Sequence, residues 1–365
     1  MRVEKLKLME YRNYEALTLA PGPKLNAIIG ENAQGKTNVL EALFLCCFGR
    51  SHRTNKDADL IQRDSAAAYV GLDLTHYGGG RRIEMKFQRG EPKRALLDGK
   101  PLPRIGELIG VFHTVMFSPE DLTLVKQGPD LRRRFMDMEL SQQSRSYFVH
   151  LMRYTSALRQ KNAMLKLPAR ECPAGMAAAY DEQLALSGAE LMRERAAFIE
   201  RLAFHAKALH ARISGEREAL SVEYAPDVAV RGESVREAIL DALCESAPTD
   251  FRRGFTGAGP HRDDIVLKLN GADARAFGSQ GQQRTAALCL KLAQIELYLE
   301  QNSDAPVLLL DDVLSELDEE RQGMLIAGMG KCQTFLTSTS LMGLEKLKGE
   351  MTLFECRAGT LRQRG

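Results

Sequence analysis

The sequence has no apolar run long enough to cross a membrane, and its longest apolar stretch, residues 43–48, is short enough for a buried helix. Its first residues alternate charged with apolar side chains and lack the apolar core of a signal peptide. We therefore expect a cytoplasmic protein with no membrane partner.

Cysteine and histidine are scarce. The seven cysteines and seven histidines show none of the spacings of zinc sites or redox motifs. The odd cysteine count, mostly in apolar segments, predicts reduced and buried thiols. Charge is nearly balanced at +2, so overall electrostatics do not indicate a nucleic-acid binder. Short basic clusters, each more often a solvated surface than a phosphate-binding patch, lie at 50–56, 81–82, 93–94, 132–134 and 252–253.

A phosphate-binding loop is the dominant feature of the sequence. Residues 30–37, GENAQGKT, place two glycines, a lysine and a threonine at the required spacing. Apolar Leu25, Ala27, Ile28 and Ile29 predict a buried strand before the loop, and residues 38–48 predict a helix after it. Glycines let successive N–H groups point at phosphates, whereas the alternative is a Gly-rich turn without a ligand. The predicted nucleotide-binding residues are Gly30, Glu31, Asn32, Ala33, Gln34, Gly35, Lys36 and Thr37, with Lys36 on the β- and γ-phosphates and Thr37 on Mg²⁺.

A pair of acids follows a second apolar segment. Residues 307–310 predict a doubly buried strand, and Asp311 and Asp312 follow where that strand ends. We expect Asp311 to hold Mg²⁺ directly or through water, and Asp312 to orient or deprotonate an attacking water. An ordinary buried strand ending in an acidic turn is the alternative.

The remaining pattern predicts an α/β protein with two lobes. Residues 1–117 with 259–365 form an ATP-binding lobe with a mixed or parallel sheet and an antiparallel β subdomain. Residues 118–258 form an inserted, mainly helical lobe with antiparallel helices at 129–167 and 175–213. Strand 265–269 is expected to return the chain to the first lobe. Other predicted strands are 3–9, 16–19, 69–74, 81–88, 94–102, 219–224, 333–338 and 352–356, and other predicted helices are 235–245, 284–299, 319–329 and 341–348.

Two further segments resemble motifs of the ABC-type ATPases. FGSQGQQR at 277–284 is similar to their signature motif, and SELD at 315–318 is similar to their D-loop. In that superfamily two protomers enclose two ATPs, and the resemblance implies that Ser279 and Gly281 of one protomer cap the γ-phosphate held by the other. Ser279 then joins Lys36, Asp311 and Asp312 as a catalytic residue. Both signature residues precede or begin a predicted helix, where anions bind, although a simple polar helix cap has the same sequence.

More closely, the chain resembles the RecF family of bacterial recombinational DNA repair proteins, relatives of the SMC and Rad-type repair ATPases. The resemblance runs through YRNY at 11–14, the phosphate loop, FSPEDL at 117–122, the GPD-x-RRR run at 128–134, GPHRDD at 259–264, the signature motif and LLLDDVLSELD at 308–318. It implies an ATP-dependent homodimer, weak and slow DNA-stimulated ATP hydrolysis, and binding to single-stranded, gapped or junction DNA. It also implies partnership with RecR and RecO in recombinase loading, and roles in replication and the SOS response.

Departures from the wider superfamily bear on mechanism. The second signature residue is Gln280 rather than Gly, and Asp312 replaces the glutamate usual in transporter ATPases, so we expect a slow switch. Thr337 or Thr339 is expected to sense the γ-phosphate where transporters have histidine. No glutamine near residues 117–120 fits a Q-loop. Arg12 is expected either to reach the nucleotide or to form a surface salt bridge.

Two other functions remain compatible with the phosphate loop. One is a soluble nucleotide or small-molecule kinase, which needs no signature from a second protomer and so predicts that Ser279→Arg leaves activity intact. The other is the nucleotide-binding subunit of a transporter, which predicts association with a membrane and a histidine after strand 333–338.

Overall fold

The computed structural model describes residues 1–167, 175–232, 234–301, 304–340 and 351–364. Its backbone contacts divide the chain into two units, Met1–Thr123 with Ala287–Gly365 and Leu124–Ala286. Among these described residues, no helix is long and apolar enough to cross a membrane. The predicted helix 341–348 lies outside the described residues.

The helices and strands follow one another along the chain as β1 (Arg2–Tyr11), β2 (Tyr14–Leu19), β3 (Leu25–Ile29), α1 (Lys36–Phe48), β4 (Ala67–His76), β5 (Gly79–Gln88), β6 (Arg94–Leu97), β7 (Lys100–Pro101), β8 (Thr114–Phe117), α2 (Pro129–Gln143), α3 (Arg145–Met164), α4 (Met176–Ser214), β9 (Leu220–Ala225), α5 (Val235–Arg253), β10 (Asp264–Leu269), β11 (Ala272–Asp273), α6 (Ala274–Phe277), α7 (Gln280–Gln301), β12 (Val307–Asp311), α8 (Glu319–Met329), β13 (Thr334–Ser338), β14 (Met351–Arg357) and β15 (Thr360–Arg364).

The first unit contains an antiparallel sheet with strand order β2-β1-β4-β5-β6-β7. Its strands alternate buried apolar with exposed polar residues, because one face packs inward and the other meets solvent. The predicted meander is present. As members of this sheet the sequence predicted only the strands that follow the phosphate-loop helix. Strand β1 also pairs with β4, and β2 pairs with β1, so this sheet includes the two N-terminal strands as well.

The second sheet of this unit has the order β15-β14-β3-β13-β12-β8. From β14 to β8 every neighbouring pair is parallel, and only β15 is antiparallel. Strands β3 and β12 are buried almost throughout, as their apolar residues predicted. Because parallel strands end at one edge, the residues that follow β3, β12 and β13 meet there. The sequence did not predict β8 or β15.

Helix α1 connects this edge to the core. It begins at Lys36 after Gly35 and ends before Gly49, and both glycines adopt positive φ values, 113° and 65°. From Val39 to Phe48 every residue is buried, so the helix is covered on all sides. The phosphate loop is therefore held between a buried strand and a buried helix.

The second unit is mainly helical, with one change from the prediction. The run 129–167 is not one helix, because Ser144 adopts an extended conformation and its hydroxyl accepts a hydrogen bond from the Tyr147 N–H, which starts α3. Helices α3 and α4 are antiparallel. Lys161 near the end of α3 donates to Asp181 near the start of α4, whereas Tyr147 at the start of α3 accepts from Arg195 in the middle of α4.

Strand β10 corrects the predicted domain division. It pairs with β9 from Asp264 to Leu269 in an antiparallel ladder inside the second unit, so it does not return the chain to the first. Ile265 and Leu267 are buried in this ladder. The units meet in sequence at 123/124 and 286/287 rather than at 117/118 and 258/259. Ser279 and Gly281 therefore belong to the second unit.

Candidate nucleotide-binding site

The phosphate loop lies at the edge where the parallel strands end. Gly35 has a φ of 113° and Ala33 a φ of 64°, which turn the backbone sharply between β3 and α1. Within the described residues, the N–H groups of Lys36 and Thr37 have no acceptor. Unsatisfied N–H groups at the start of a helix attract anions, so the loop fits a phosphate group. Glu31, Asn32 and Ala33 are exposed at its tip.

Lys36 turns back over the loop from the first position of α1. Its Nζ donates to the carbonyl oxygens of Gly30, at 2.6 Å, and Glu31, at 2.8 Å. The residue is only 6% exposed. A positive charge is thus held beside the N–H groups that face an anion, and both features favour a phosphate.

Asp311 joins two hydroxyl groups at this edge. One carboxylate oxygen, Oδ1, accepts hydrogen bonds from Thr37 Oγ1 at 2.8 Å and from Thr337 Oγ1 at 2.7 Å. Such oxygen donors suit Mg²⁺, which binds through one or two carboxylates together with the phosphates of its substrate. In the described part of the chain no group of three or more His, Cys, Asp or Glu residues is arranged for a metal.

Asp312 occupies an unusual backbone conformation next to Asp311. Its φ is 51°, and its N–H donates to Thr337 Oγ1 at 3.0 Å. Burial raises the pKa of the Asp312 carboxyl above its ordinary value; Lys36 opposes this shift, whereas Asp311 and Glu316 add to it. A carboxylate with a raised pKa is a better acceptor for a proton from water.

Thr337 and Thr339 have different positions. Thr337 is 1% exposed and is engaged with Asp311 and with the Asp312 backbone. Thr339 is exposed and lines a cavity of about 440 Å³ beside the loop, together with Gly30 and Glu31. Of the two predicted γ-phosphate sensors, Thr339 is therefore the one that faces open space, and Thr337 positions the acids.

Arg12 forms a salt bridge, but with the fully buried carboxylate of Glu41 rather than at the surface as the sequence alternative expected. Its Nε and Nη2 donate to the two oxygens of Glu41 at 2.8 and 2.6 Å, and its Nη1 donates to the Asp59 carbonyl at 2.8 Å. Glu41 lies in α1 and is fully buried. Arg12 thus ties the β1–β2 turn to the helix that follows the loop, and a direct nucleotide contact by Arg12 stays a prediction.

Sequence reasoning missed a group that anchors the loop from outside. The Gln34 carbonyl accepts from Asn13 Nδ2 at 2.8 Å and from the Gly359 N–H at 3.2 Å, and Gln34 Oε1 accepts from the Ala358 N–H at 2.6 Å. A Cβ on Gly359 would come within 2.1 Å of the Asn13 carbonyl. Asn13 lies within YRNY, so the motif carried the signal, but the β14–β15 turn residues that also bond Gln34 are distant in sequence.

The signature residues lie at the start of α7. Ser279 Oγ accepts from the Gln282 N–H at 3.3 Å, and the Ser279 N–H donates to Gln282 Oε1 at 2.8 Å. This reciprocal pair is a capping box, so the polar-cap interpretation of the sequence holds for the local structure. Ser279 is exposed, and Phe277 beside it is 78% exposed.

Comparisons with known proteins decide the family. Residues 2–358 match the family model described as the RecF/RecN/SMC N terminal domain. The DNA replication and repair protein RecF of Alkaliphilus oremlandii is 44% identical over 96% of both chains, and that of Clostridium acetobutylicum is 41% identical over 99% of both. The chain belongs to the RecF family. The resemblance stated from the sequence motifs is confirmed.

Solved structures agree with this membership. A structure described as the recombination mediator protein RecF-ATPrS in the RecFOR pathway superposes with a TM-score of 0.92 at 34% identity, covering 100% of this chain and 98% of that one. An Smc head bound to a domain of ScpA superposes with a TM-score of 0.57 at 14% identity, covering 100% of this chain and 97% of that one, which shows the fold alone. The predicted fold class, an ABC-type ATPase head with mixed sheets and helical segments, is confirmed.

Proposed function

We propose that this RecF-family protein binds ATP and Mg²⁺, dimerises on ATP and holds DNA during replication and repair. The observation that carries the proposal is the convergence of Lys36, Thr37, Asp311 and Thr337 at one sheet edge. Relatives described as RecF-ATPrS and RecF-ATP support ATP as the nucleotide.

Each residue of the site has a proposed task. Lys36 and the loop N–H groups would bind the β- and γ-phosphates, and Thr37 and Asp311 would hold Mg²⁺, whose charge would offset that of the phosphate oxygens. Asp312 orients a water molecule and accepts its proton. Its side chain is one methylene shorter than the glutamate of transporter ATPases, so we expect weak and slow hydrolysis that DNA stimulates.

The signature residues act on the nucleotide of a second protomer. Ser279 is exposed at the N-terminus of α7, a 22-residue helix whose positive end suits a phosphate. We propose that Ser279 and Gly281 of one protomer complete the site that contains Lys36 of the other. ATP then joins two chains, and hydrolysis releases them from DNA.

The description of the solved relatives as members of the RecFOR pathway supports RecO and RecR as partners at single-stranded, gapped or junction DNA. On this basis we propose that the protein assists recombinase loading and the SOS response in the cytoplasm. Similarity to RecF over nearly the whole chain favours this function over a kinase or a transporter subunit.

Light-scattering mass tests the proposal in ATP, in ADP and without nucleotide. We expect the wild type to dimerise in ATP alone, and Lys36→Met and Ser279→Arg to stay monomeric. Ser156→Arg is the matched control, because Ser156 is also an exposed serine of the second unit and should dimerise normally. A protein that binds ATP but stays monomeric in every state contradicts the proposal.

A further inference from the structure

The antiparallel sheet of the first unit has one face turned to solvent. On strand β1 this face presents Lys5, Lys7 and Met9, while Leu6 and Leu8 point to the buried side. Tyr69 on β4 lies directly opposite Met9, and Lys86 on β5 lies opposite Tyr69. We call Lys5, Lys7, Met9, Tyr69 and Lys86 the outer sheet face.

The ring of Tyr69 lies flat on this face because its neighbour is glycine. A Cβ on Gly71 would meet Tyr69 Oη at 2.5 Å and the ring carbons Cε1 and Cζ at 2.9 Å. The hydroxyl is fixed at its end, donating to Glu84 Oε1 at 2.7 Å and accepting from Arg82 Nη2 at 3.4 Å. One side of the half-buried ring therefore covers the backbone, and the other side is a fixed aromatic surface.

The lysines of the outer sheet face carry charge that the described residues do not compensate. Lys5, Lys7 and Lys86 are exposed and have no ion pair or side-chain hydrogen bond within the described residues. The acids on the same face are already engaged, since Asp73 lies 3.7 Å from Arg82 and Glu84 lies 3.8 Å from it. The face thus combines a surplus of positive charge with an aromatic ring.

A depression of about 370 Å³ lies beside the ring, lined by Met9, Tyr69 and Lys86. Its other charged residues are engaged, because Arg94 pairs with Glu91 at 2.9 Å and Glu10 accepts a hydrogen bond from Ser65 Oγ. Met9 is 44% exposed, so its side chain is open to a ligand at the edge of the depression. The volume falls within the range of about 300–1,000 Å³ of small-molecule sites, so a planar base has room next to Tyr69.

We propose that the outer sheet face binds single-stranded DNA, with a base stacked on Tyr69 beside Met9 and with phosphates on Lys5, Lys7 and Lys86. Aromatic rings on a sheet combined with nearby cations bind single strands in a sequence-tolerant manner. An acidic protein segment would use the lysines but would not need a flat, fixed ring. The inference rests on the proposed function, because it assigns a surface to the DNA invoked there.

The absence of tryptophan from this sequence makes the stacking directly measurable. Tyr69→Trp introduces a single indole on the outer sheet face, and Tyr77→Trp, at a position 85% exposed after β4, is its control. The titrant is an oligothymidylate of about 20 nucleotides, longer than the ~4–16 nucleotides that one binding module covers. In ATP and Mg²⁺ we expect quenching of Tyr69→Trp emission and little change for Tyr77→Trp.

A second pair of variants keeps Tyr69. Its result therefore does not depend on whether the larger indole of Tyr69→Trp fits over Gly71. Lys7→Gln/Lys86→Gln should weaken binding about tenfold or more and reduce the salt slope by about 1.4, or ~0.7 for each lost phosphate contact. The charge-matched control is Lys268→Gln/Lys331→Gln, whose ammonium groups pair with Glu223 and Glu296. It should bind nearly as the wild type does.

Three results overturn the inference. If the wild type binds the oligonucleotide but Tyr69→Trp emission is unchanged and both lysine pairs behave alike, the DNA lies elsewhere and the proposed function stands. If polyglutamate quenches Tyr69→Trp as well as DNA does, the face binds acidic chains. If neither the oligonucleotide nor gapped duplex DNA binds in any nucleotide state, the proposed DNA-binding function fails together with the inference.

Discussion

Replacing Arg12 with alanine removes the main partner of a fully buried carboxylate. Glu41 accepts two hydrogen bonds from Arg12, at 2.6 and 2.8 Å, and one from Ser51 Oγ at 2.5 Å, and Arg53 lies 3.8 Å away. Burial acts to raise the pKa of Glu41, but the hydrogen bonds from Arg12 and Ser51 and the two positive charges lower it below its usual value. Without Arg12 most of that compensation is lost.

The expected cost follows from this geometry. Breaking a buried ion pair costs about 3–5 kcal/mol, and we take about 3 kcal/mol because Ser51 and Arg53 still face the carboxylate and because the Arg12 side chain is itself 19% exposed. Arg2→Ala is the matched control. Its pair with Glu4 is nearly as short, 2.7 Å against 2.6 Å, but the two side chains are 51% and 34% exposed, so we expect a loss of at most about 1 kcal/mol.

Urea unfolding followed by circular dichroism measures both losses at pH 7. In Arg12→Ala the pKa of the buried Glu41 should rise above its unfolded value, so its protonation stabilises the folded variant as pH falls. In the wild type the lowered pKa has the opposite effect, and the difference between the two proteins should shrink in acid. The reasoning is refuted if Arg12→Ala unfolds no more easily than Arg2→Ala while its ATP affinity falls tenfold, because Arg12 would then act on nucleotide.

Three further predictions concern other residues. Burial lowers the pKa of His113 to about 4 from 6.5, so the unfolded state takes up the proton first and the free energy of unfolding should fall by about 3 kcal/mol between these pH values, but not in His113→Gln. Gly359→Ala places a Cβ against the Asn13 backbone, and Gly90→Ala is its control, because Gly90 has a similar φ, 79° against 72°, but open space around it. Gly359→Ala should therefore lose more stability and more ATP affinity than Gly90→Ala, and equal losses would show that the contact with Asn13 is unimportant. Asp312→Asn should slow ATP hydrolysis about 100-fold or more and leave ATP-dependent dimerisation intact, and wild-type hydrolysis should decline on acidification at a higher pH than an ordinary Asp allows; unchanged hydrolysis would exclude Asp312 as the base.

The parts of the site that the sequence predicted are those encoded by local spacing. The phosphate loop, its strand and helix, and Asp311 at the end of an apolar strand each need only a short segment, and their positions in the fold are as expected. The hydrogen bond from Thr337 to Asp311 could not be predicted from local spacing. It depends on the parallel register that pairs these two residues across β12 and β13.

Other elements of the fold depend on pairing between segments distant in sequence, or on a single residue that interrupts a segment with high helix propensity. Strand β10 could have joined either sheet, and its ladder with β9 decided the boundary between the units. Strand β8 has four residues, too few for a periodic signal, and is defined by its pairing with β12. Ser144 ends α2 within a run that otherwise favours one helix. The Asn13 contact with Gln34 likewise joins segments that no motif links.

A mixing experiment tests most directly whether two protomers build one nucleotide site. Lys36→Met retains an intact signature, and Ser279→Arg retains an intact phosphate loop, so a mixed dimer of the two contains one complete site. We expect each variant alone to be monomeric in ATP and inactive in hydrolysis, and an equimolar mixture to recover dimers and part of the wild-type ATPase rate. Full activity of Ser279→Arg alone, or a mixture as inactive as its components, would contradict a site shared between two chains.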